Sequence, residues 1–238
     1  MKLILLRHGE SIWNLENRFT GWTDVELTDN GKSEAKNAGV LISNEDFDLD
    51  YAFVSLLKRA IKSSELCLNQ LQNKKINIIK DWRLNERHYG SLQGLNKLDT
   101  AKKYGSEQVK IWRRSYDVPP PGISNNDERH PRFDNLYKNI DSNMLPRSES
   151  LKDTLERVKP LWQDEILPKL RKNKNILIVA HGNSLRAIVK ILKNISNEDI
   201  VNLNIPTGAP YVFNFNSNIE ITSDKYLGNE EEIYRKTK

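Results

Sequence analysis

Cysteine is nearly absent: Cys67 is the one thiol in 238 residues. A disulfide within the chain is excluded, and a small buried side chain in a reducing compartment is expected at that position. Long apolar runs are missing too. None approaches the ~20 residues that a membrane helix needs. With 37% hydrophobic and 29% charged residues, the chain has the composition of an ordinary globular core. Met1-Lys2-Leu3 leads straight into an apolar run, so no signal peptide is expected and the cytoplasm is the expected location. Charge of one sign is not gathered anywhere. The net charge is +5, yet lysines and acids are interspersed. The Lys-rich stretch from Lys169 to Lys174 lacks interleaved aromatics. Nucleic acid and membrane are therefore not expected as partners, whereas an anionic small molecule is. Histidine is scarce, with four residues in all. No His-x-x-Glu-His or His-Glu-x-x-His spacing occurs, and no metal is expected.

What the chain does have is concentrated in Leu3 to Asn14, LILLRHGESIWN. Leu3 to Leu6 reads as a strand buried on both faces. It stops at Arg7-His8-Gly9, so a cation, an imidazole and a flexible backbone fall at the carboxyl end of a strand. In open α/β sheets ligands bind there. His8 suits a nucleophile because imidazole is neutral near pH 7. Arg7 suits a phosphate, and Gly9 is expected to let the backbone approach a ligand. The arrangement recurs: residues 176 to 180, ILIVA, lead into His181-Gly182-Asn183-Ser184 and the helical pattern LRAIVKILK. A lone histidine is ordinarily a satisfied core or surface residue. Two of only four in one repeated context point to a shared site.

The rest of the chain alternates strand and helix patterns, as in one large α/β domain of residues 1–238. Its expected architecture is three layers: an open, mostly parallel sheet flanked by helices. Glu10 to Leu27 reads as a loop whose Ser11, Asn14 and Thr20 can donate to an anion. Thr28 reads as an N-cap for a helix over Gly31 to Ile42. Tyr51 to Ser55 and Ile76 to Ile79 read as strands. Between them Leu57, Ile61, Ser64, Leu68 and Leu71 mark the buried face of a helix, with Arg59 in its first turn. Position alone leaves Arg59 open between the site and the surface. Glu86 is a candidate proton shuttle, or else a partner for Arg83 or Arg87. From about Leu92 to Arg147 periodicity fades. That stretch holds Lys97, Arg113 and Arg114 and reads as a cap supplying cations, or as a surface loop. Ser150 to Asp153 resembles a capping box, opening a helix that Pro160 should kink. Tyr211 to Phe215 reads as an edge strand, and residues 225–238 as a mobile charged tail.

LLRHGES with a distant AHGNSLR resembles the histidine phosphatase superfamily. RHGESIWNLENRFTGWTDVELTDNG narrows this to the 2,3-bisphosphoglycerate-dependent phosphoglycerate mutases. LLKRAIKSSE, RLNERHYGSLQGLNK, WRRSYDVPPP, LPRSESLKDTLERVKPLW, IPTGAP and YLGNEEE are similar to that family in its order, across nearly the whole chain. The resemblance implies glycolytic and gluconeogenic interconversion of 2- and 3-phosphoglycerate through a phosphohistidine at His8, with 2,3-bisphosphoglycerate as cofactor and no metal. It implies that Arg7, Arg59 and His181 surround the phosphoryl group and that Glu86 is the general acid/base. It implies that Ser11, Asn14, Thr20, Gly21, Arg87, His88, Tyr89, Lys97, Arg113, Arg114, Gly182 and Asn183 bind substrate. A homodimer or homotetramer is implied as well. The cap and tail are the features expected to separate a mutase from a simple phosphatase. Val54 stands where the family suggests threonine, implying the loss of a pocket hydroxyl. Asn229 stands where Asp is expected, which bears on tail docking.

Overall fold

Apolar residues at consecutive positions let a strand be covered on both faces, and the central strands of the sheet are of this kind. The structure is a computed structural model, and it describes residues 1–73 and 75–237. Strands β1 (Lys2–Arg7), β2 (Tyr51–Val54), β3 (Asn77–Lys80), β4 (Ile176–Ala180), β5 (Tyr211–Phe215) and β6 (Ile221–Tyr226) form one sheet in the order β3-β2-β4-β1-β5-β6. The first four run parallel; β5 pairs antiparallel with β1, and β6 with β5. The helices are α1 (Ile12–Leu15), α2 (Asp29–Ser43), α3 (Lys58–Leu68), α4 (Lys97–Tyr104), α5 (Ser106–Arg114), α6 (Leu151–Leu161), α7 (Leu167–Arg171), α8 (Gly182–Lys193) and α9 (Glu230–Thr237).

Alternation along the central strands sorts side chains into two cores. Leu3, Leu5, Ile176 and Ile178 pack with Val158 and Leu161 of α6 and Leu185 and Ile188 of α8. Ile4, Leu6, Leu177 and Val179 pack with Ala38 and Ile42 of α2 and with Cys67 and Leu68 of α3. This is the expected three-layer arrangement, with Cys67 buried as expected. The chain leaves β1 over one face, through α2, and leaves β4 over the other, through α8. Since β1 and β4 are neighbours with Arg7 opposite Ala180, their carboxyl ends open a crevice at a topological switch point. His8 N donates to Ala180 O across it (3.0 Å).

Local signals behaved as their chemistry requires. Thr28 Oγ1 caps α2 by accepting from Gly31 N (3.0 Å). Ser150 and Asp153 form the reciprocal capping box of α6. After Pro160, which lacks the N–H an α-turn needs, the helix passes through a π turn over Trp162–Ile166 before α7.

Two expectations are corrected, the edge strand and the irregular stretch. The strand at Tyr211–Phe215 is internal, because the polar β6 covers it and forms the edge. The stretch from Leu92 to Arg147 holds two helices, α4 and α5, besides its irregular turns. Residues 225 and 226 belong to β6, and the following residues build α9, tied down by Lys236 Nζ to Glu34 Oε1 (2.9 Å) and by Asn204 Nδ2 to Thr237 O (3.1 Å). Lys238 of the expected tail lies outside the described residues. Asn229 serves as an acidic residue would, since its Oδ1 accepts from Glu232 N (2.9 Å) at the start of α9.

Candidate active site

Where β1 ends, His8 is held by its own backbone. Its Nδ1 lies 2.7 Å from Gly9 O, a carbonyl that can only accept. The proton is therefore on Nδ1, and Nε2 carries the lone pair. Burial, then the charges of Arg59 and Arg7, hold the imidazole pKa well below its ordinary value. His8 is neutral, as a nucleophile must be. Gly9 has a different task from the one expected. A Cβ there would lie 2.0 Å from Gly31 O, so its missing side chain admits the backbone of α2, not a ligand. Ser63 Oγ of α3 accepts from Gly9 N (3.0 Å) and fixes the same turn.

Arg59 enters from the first turn of α3 and is buried. Its Nε points at His8 Nε2 (3.3 Å), while its other nitrogens donate to Thr23 O (2.9 Å) and Gly21 O (2.8 Å). The loop bends to offer those carbonyls through Gly21, which sits at φ +55 where a Cβ would meet the Gln93 side chain. Burial lowers the Arg59 pKa to about 10, which leaves it charged at neutral pH.

His181 is the N-cap of α8, and its ring centroid lies 4.8 Å from that of His8. Its Nε2 contacts Ser55 Oγ at 2.8 Å. Ser55 in turn donates to Asn85 Oδ1 (2.8 Å), whose amide orientation is fixed by Leu56 N on the oxygen and Tyr137 OH on the nitrogen. Ser55 can give its proton only to that carbonyl oxygen, so His181 Nε2 is the donor and Nδ1 is unprotonated. Nδ1 is buried, with no hydrogen-bond partner among the described residues. Burial first, then Arg59, His8 and Arg7, lower the His181 pKa well below its ordinary value.

Glu86 stands across the pocket. Its Oε1 accepts from Arg87 N (2.8 Å), Asn183 N (3.1 Å) and Asn183 Nδ2 (2.9 Å). Among the described residues no hydrogen bond reaches Oε2, which lies near the open face of Gly182 beside the Arg7 guanidinium. The loop bearing Glu86 is laid over Arg157 of α6. That guanidinium donates to the carbonyls of Trp82, Arg83, Asn85 and Glu86 and pairs with Glu149 at 2.7 Å. Trp22 Nε1 also holds Glu86 O (2.5 Å).

One pocket gathers most of the expected residues: Arg7, His8, Asn14, Thr20, Gly21, Arg59, Glu86, Tyr89, Lys97, Arg113, Arg114, Gly182 and Asn183. Four expected residues do not line it. His181 lies just behind His8, close enough to act. Ser11 is buried as the cap of α1, bonded to Asn14. Arg87 is wholly buried, donating to Tyr89 OH (3.2 Å) and Arg113 O (2.8 Å). His88 packs under Trp22 with its N–H on Glu149, and burial lowers its pKa to about 3. Arg87 and His88 thus stand behind the pocket: the Arg87 guanidinium holds Arg113 O, and the backbone N–H of His88 donates to Glu149 Oε2 (2.8 Å). Val54 is likewise packed in the apolar core between β2 and α3, so no pocket hydroxyl is lost there. Arg18, Phe19, Arg186 and Asn204 line the pocket without having been expected to. Arg186 sits one turn beyond Asn183 on α8, and that i, i+3 spacing was the available signal. Nothing local marks Asn204.

The pocket wall thus carries Arg7, Arg18, Arg59, Lys97, Arg113, Arg114 and Arg186 against the single carboxylate Glu86. Such a wall suits a small polyanion with phosphate groups. Among the described residues, no group of three or more His, Cys, Asp or Glu is placed to hold a metal ion, and no helix is long and apolar enough to cross a membrane.

Comparison with known proteins agrees with this chemistry. The family described as histidine phosphatase superfamily (branch 1) matches residues 3–144 and 124–221. The chain is 55% identical over 232 residues to 2,3-bisphosphoglycerate-dependent phosphoglycerate mutase 2 of Bacteroides thetaiotaomicron, covering 98% of this chain and 94% of that protein. It is 56% identical over 231 residues to the 2,3-bisphosphoglycerate-dependent phosphoglycerate mutase of Parabacteroides distasonis, covering 97% and 93%. The chain belongs to the histidine phosphatase superfamily, in its phosphoglycerate mutase family. Solved structures share its fold at low identity. Mycobacterial hydrolase 1 superposes with a TM-score of 0.72 at 19% identity, covering 96% of this chain and 98% of that one. The alpha-ribazole phosphatase of Shigella flexneri gives 0.65 at 22%, covering 96% of each.

Proposed function

We propose that this enzyme interconverts 3-phosphoglycerate and 2-phosphoglycerate through a phosphohistidine at His8, using 2,3-bisphosphoglycerate as cofactor. The observation that carries this reading is the pairing of two atoms in one cation-lined pocket. His8 offers a neutral Nε2 lone pair, and Glu86 offers one carboxylate oxygen free of hydrogen bonds while the other is saturated. The cationic wall and the unpartnered buried Nε of Arg7 fit a bisphosphorylated acid. When bound, 2,3-bisphosphoglycerate supplies the phosphoryl group that charges His8.

The chain's own residues then do the following. Arg7 and Arg59 balance the charge on the phosphoryl oxygens at His8. His181 gains a proton-donating Nδ1 when a phosphoryl dianion beside it favours the imidazolium. The 2-hydroxyl of 3-phosphoglycerate forms a bond to phosphorus as the bond from phosphorus to His8 Nε2 breaks, and its proton passes to Glu86 Oε2. In the return transfer His8 Nε2 takes the phosphoryl group from the C3 oxygen, and Glu86 returns the proton to that oxygen. Lys97, Arg113 and Arg114 hold the carboxylate and the second phosphate. The α4–α5 cap keeps water from the phosphohistidine.

The test is turnover of 3-phosphoglycerate by protein stripped of phosphate, with and without added 2,3-bisphosphoglycerate. Activity that appears only with the cofactor, together with acid-labile phosphate on His8, is expected. Release of inorganic phosphate without 2-phosphoglycerate would make the protein a phosphatase and overturn the reading.

A further inference from the structure

Arg186 is 3% exposed and reaches the pocket from the second turn of α8. Its Nη1 donates to Asn183 Oδ1 (2.8 Å), and its Nη2 to Ile200 O (2.7 Å). Asn183 has one acceptor end and one donor end, and its neighbours decide which way it faces. With Oδ1 on the guanidinium, Nδ2 must face Glu86 Oε1 (2.9 Å) and Tyr89 OH (3.3 Å). The flipped amide would set an oxygen against the Glu86 carboxylate and an NH₂ against the Arg186 guanidinium. Both contacts would be repulsive.

We infer that Arg186 is a positioning residue for proton transfer: it locks the Asn183 amide, and the locked amide saturates Glu86 Oε1 so that Oε2 alone faces the substrate hydroxyl. The inference rests on the acid/base reading of Glu86. Without Arg186 the Asn183 amide is free to turn, Glu86 loses one of three N–H donors, and its carboxylate can rotate. A proton shuttle that rotates has lost its reach, because transfer needs a heavy-atom approach of about 2.6–3.2 Å. The Nη2 contact to Ile200 O gives Arg186 a structural task as well, so the test must separate the two.

The experiment measures mutase kinetics of Arg186→Met, Arg186→Lys, Glu86→Gln and the double variant Arg186→Met/Glu86→Gln, each checked for folding by circular dichroism. Arg186→Met should lower kcat by about 10–100-fold, the scale of a misplaced reacting group, with KM changed less than about 3-fold. Arg186→Lys, which keeps one charged donor for Asn183 Oδ1, should recover most of the loss. In the Glu86→Gln background the same Arg186→Met change should cost less than about twofold, because the proton path it serves is already gone. An equal cost in both backgrounds, or a raised KM with kcat untouched, would overturn the inference and make Arg186 a scaffold or a substrate cation. Full turnover in Glu86→Gln alone would instead overturn the acid/base reading beneath it. Should Arg186→Met not fold, Arg186→Lys carries the test: a residual loss in kcat that vanishes in the Glu86→Gln background supports the inference, and an equal loss in both overturns it.

Discussion

The two His-Gly-x-Ser ends of β1 and β4 look alike in sequence and sit side by side in the sheet, yet they are built for different tasks. After His8 the chain makes a loop and a single helical turn. After His181 it passes directly into twelve residues of α8. Gly9 is pressed against the backbone of α2, whereas a Cβ on Gly182 would find its nearest atoms at 3.6 Å. His8 spends its Nδ1 proton on its own chain, and its Nε2 lone pair faces Arg59 Nε in the pocket (3.3 Å). His181 spends its Nε2 proton on a buried Ser55–Asn85–Tyr137 chain, leaving Nδ1 without a partner. What each ring can do is decided by which nitrogen the scaffold has already claimed.

The comparison can be broken most forcefully at the rings. His8→Ala should abolish acid-labile phosphate on the protein and lower turnover by about 10⁴-fold or more. Phosphate found on His181 instead would show the two ends to be interchangeable. His181→Ala should cost about 10²–10³-fold, the scale of one lost electrostatic contact to a transition state, while His8 still accepts phosphate slowly. An equal effect of the two substitutions, including loss of the phosphoprotein, would erase the distinction drawn here. Next in size is Ser55→Ala, which frees His181 Nε2. Outer-shell partners of functional histidines at metal centres are worth about 10–100-fold, and a loss of that order in kcat at constant KM is expected. No change would mean that the buried chain does not orient the ring.

The glycines sharpen the contrast through stability. Gly9→Ala forces a Cβ to 2.0 Å from Gly31 O and should destabilise by at least the ~1–3 kcal/mol typical of overpacking. That is several degrees of Tm in a chain of this size. Gly182→Ala should leave Tm nearly level. Equal shifts would mean the α2 contact relaxes freely.

The smallest effect treats the two ends alike. Burial lowers the pKa of His8, His88, His130 and His181. Below their ordinary value of about 6.5, the unfolded chain binds protons that the folded chain does not. Stability should therefore fall as pH drops through that value and be level above it. Thermal unfolding between pH 7.5 and 5.5 measures this, and a Tm that does not fall would mean the buried imidazoles protonate without unfolding.

The sequence was legible wherever a short-range rule applied. Apolar runs located β1, β2 and β4 because a strand buried on both faces needs every residue apolar. Thr28 and Ser150 located helix starts because a cap is a contact three residues long. The repeated histidines pointed to one shared site, which the structure shows as neighbouring rings, whereas Arg59 and Glu86 stayed open from position alone and were singled out only through the family resemblance. Legibility failed at β6, whose exposed edge position imposes no hydrophobic pattern. It failed at α4 and α5, where many charges hid the amphipathic spacing.

The sequence by itself determined the layers, the strand cores, the family and the residue types of the site, since each is written in local pattern or in motif. The tertiary structure alone decided which atoms work. Residues 8, 59, 86 and 181 meet only because β4 inserts between β2 and β1 in register. That register brought in Arg186 from α8, while Arg87 and His88 were buried behind the pocket wall. It also assigned the proton-bearing nitrogen of each histidine. A hydrogen bond is a matter of tenths of an ångström and of direction, and no spacing along the chain encodes the direction from which a distant partner arrives.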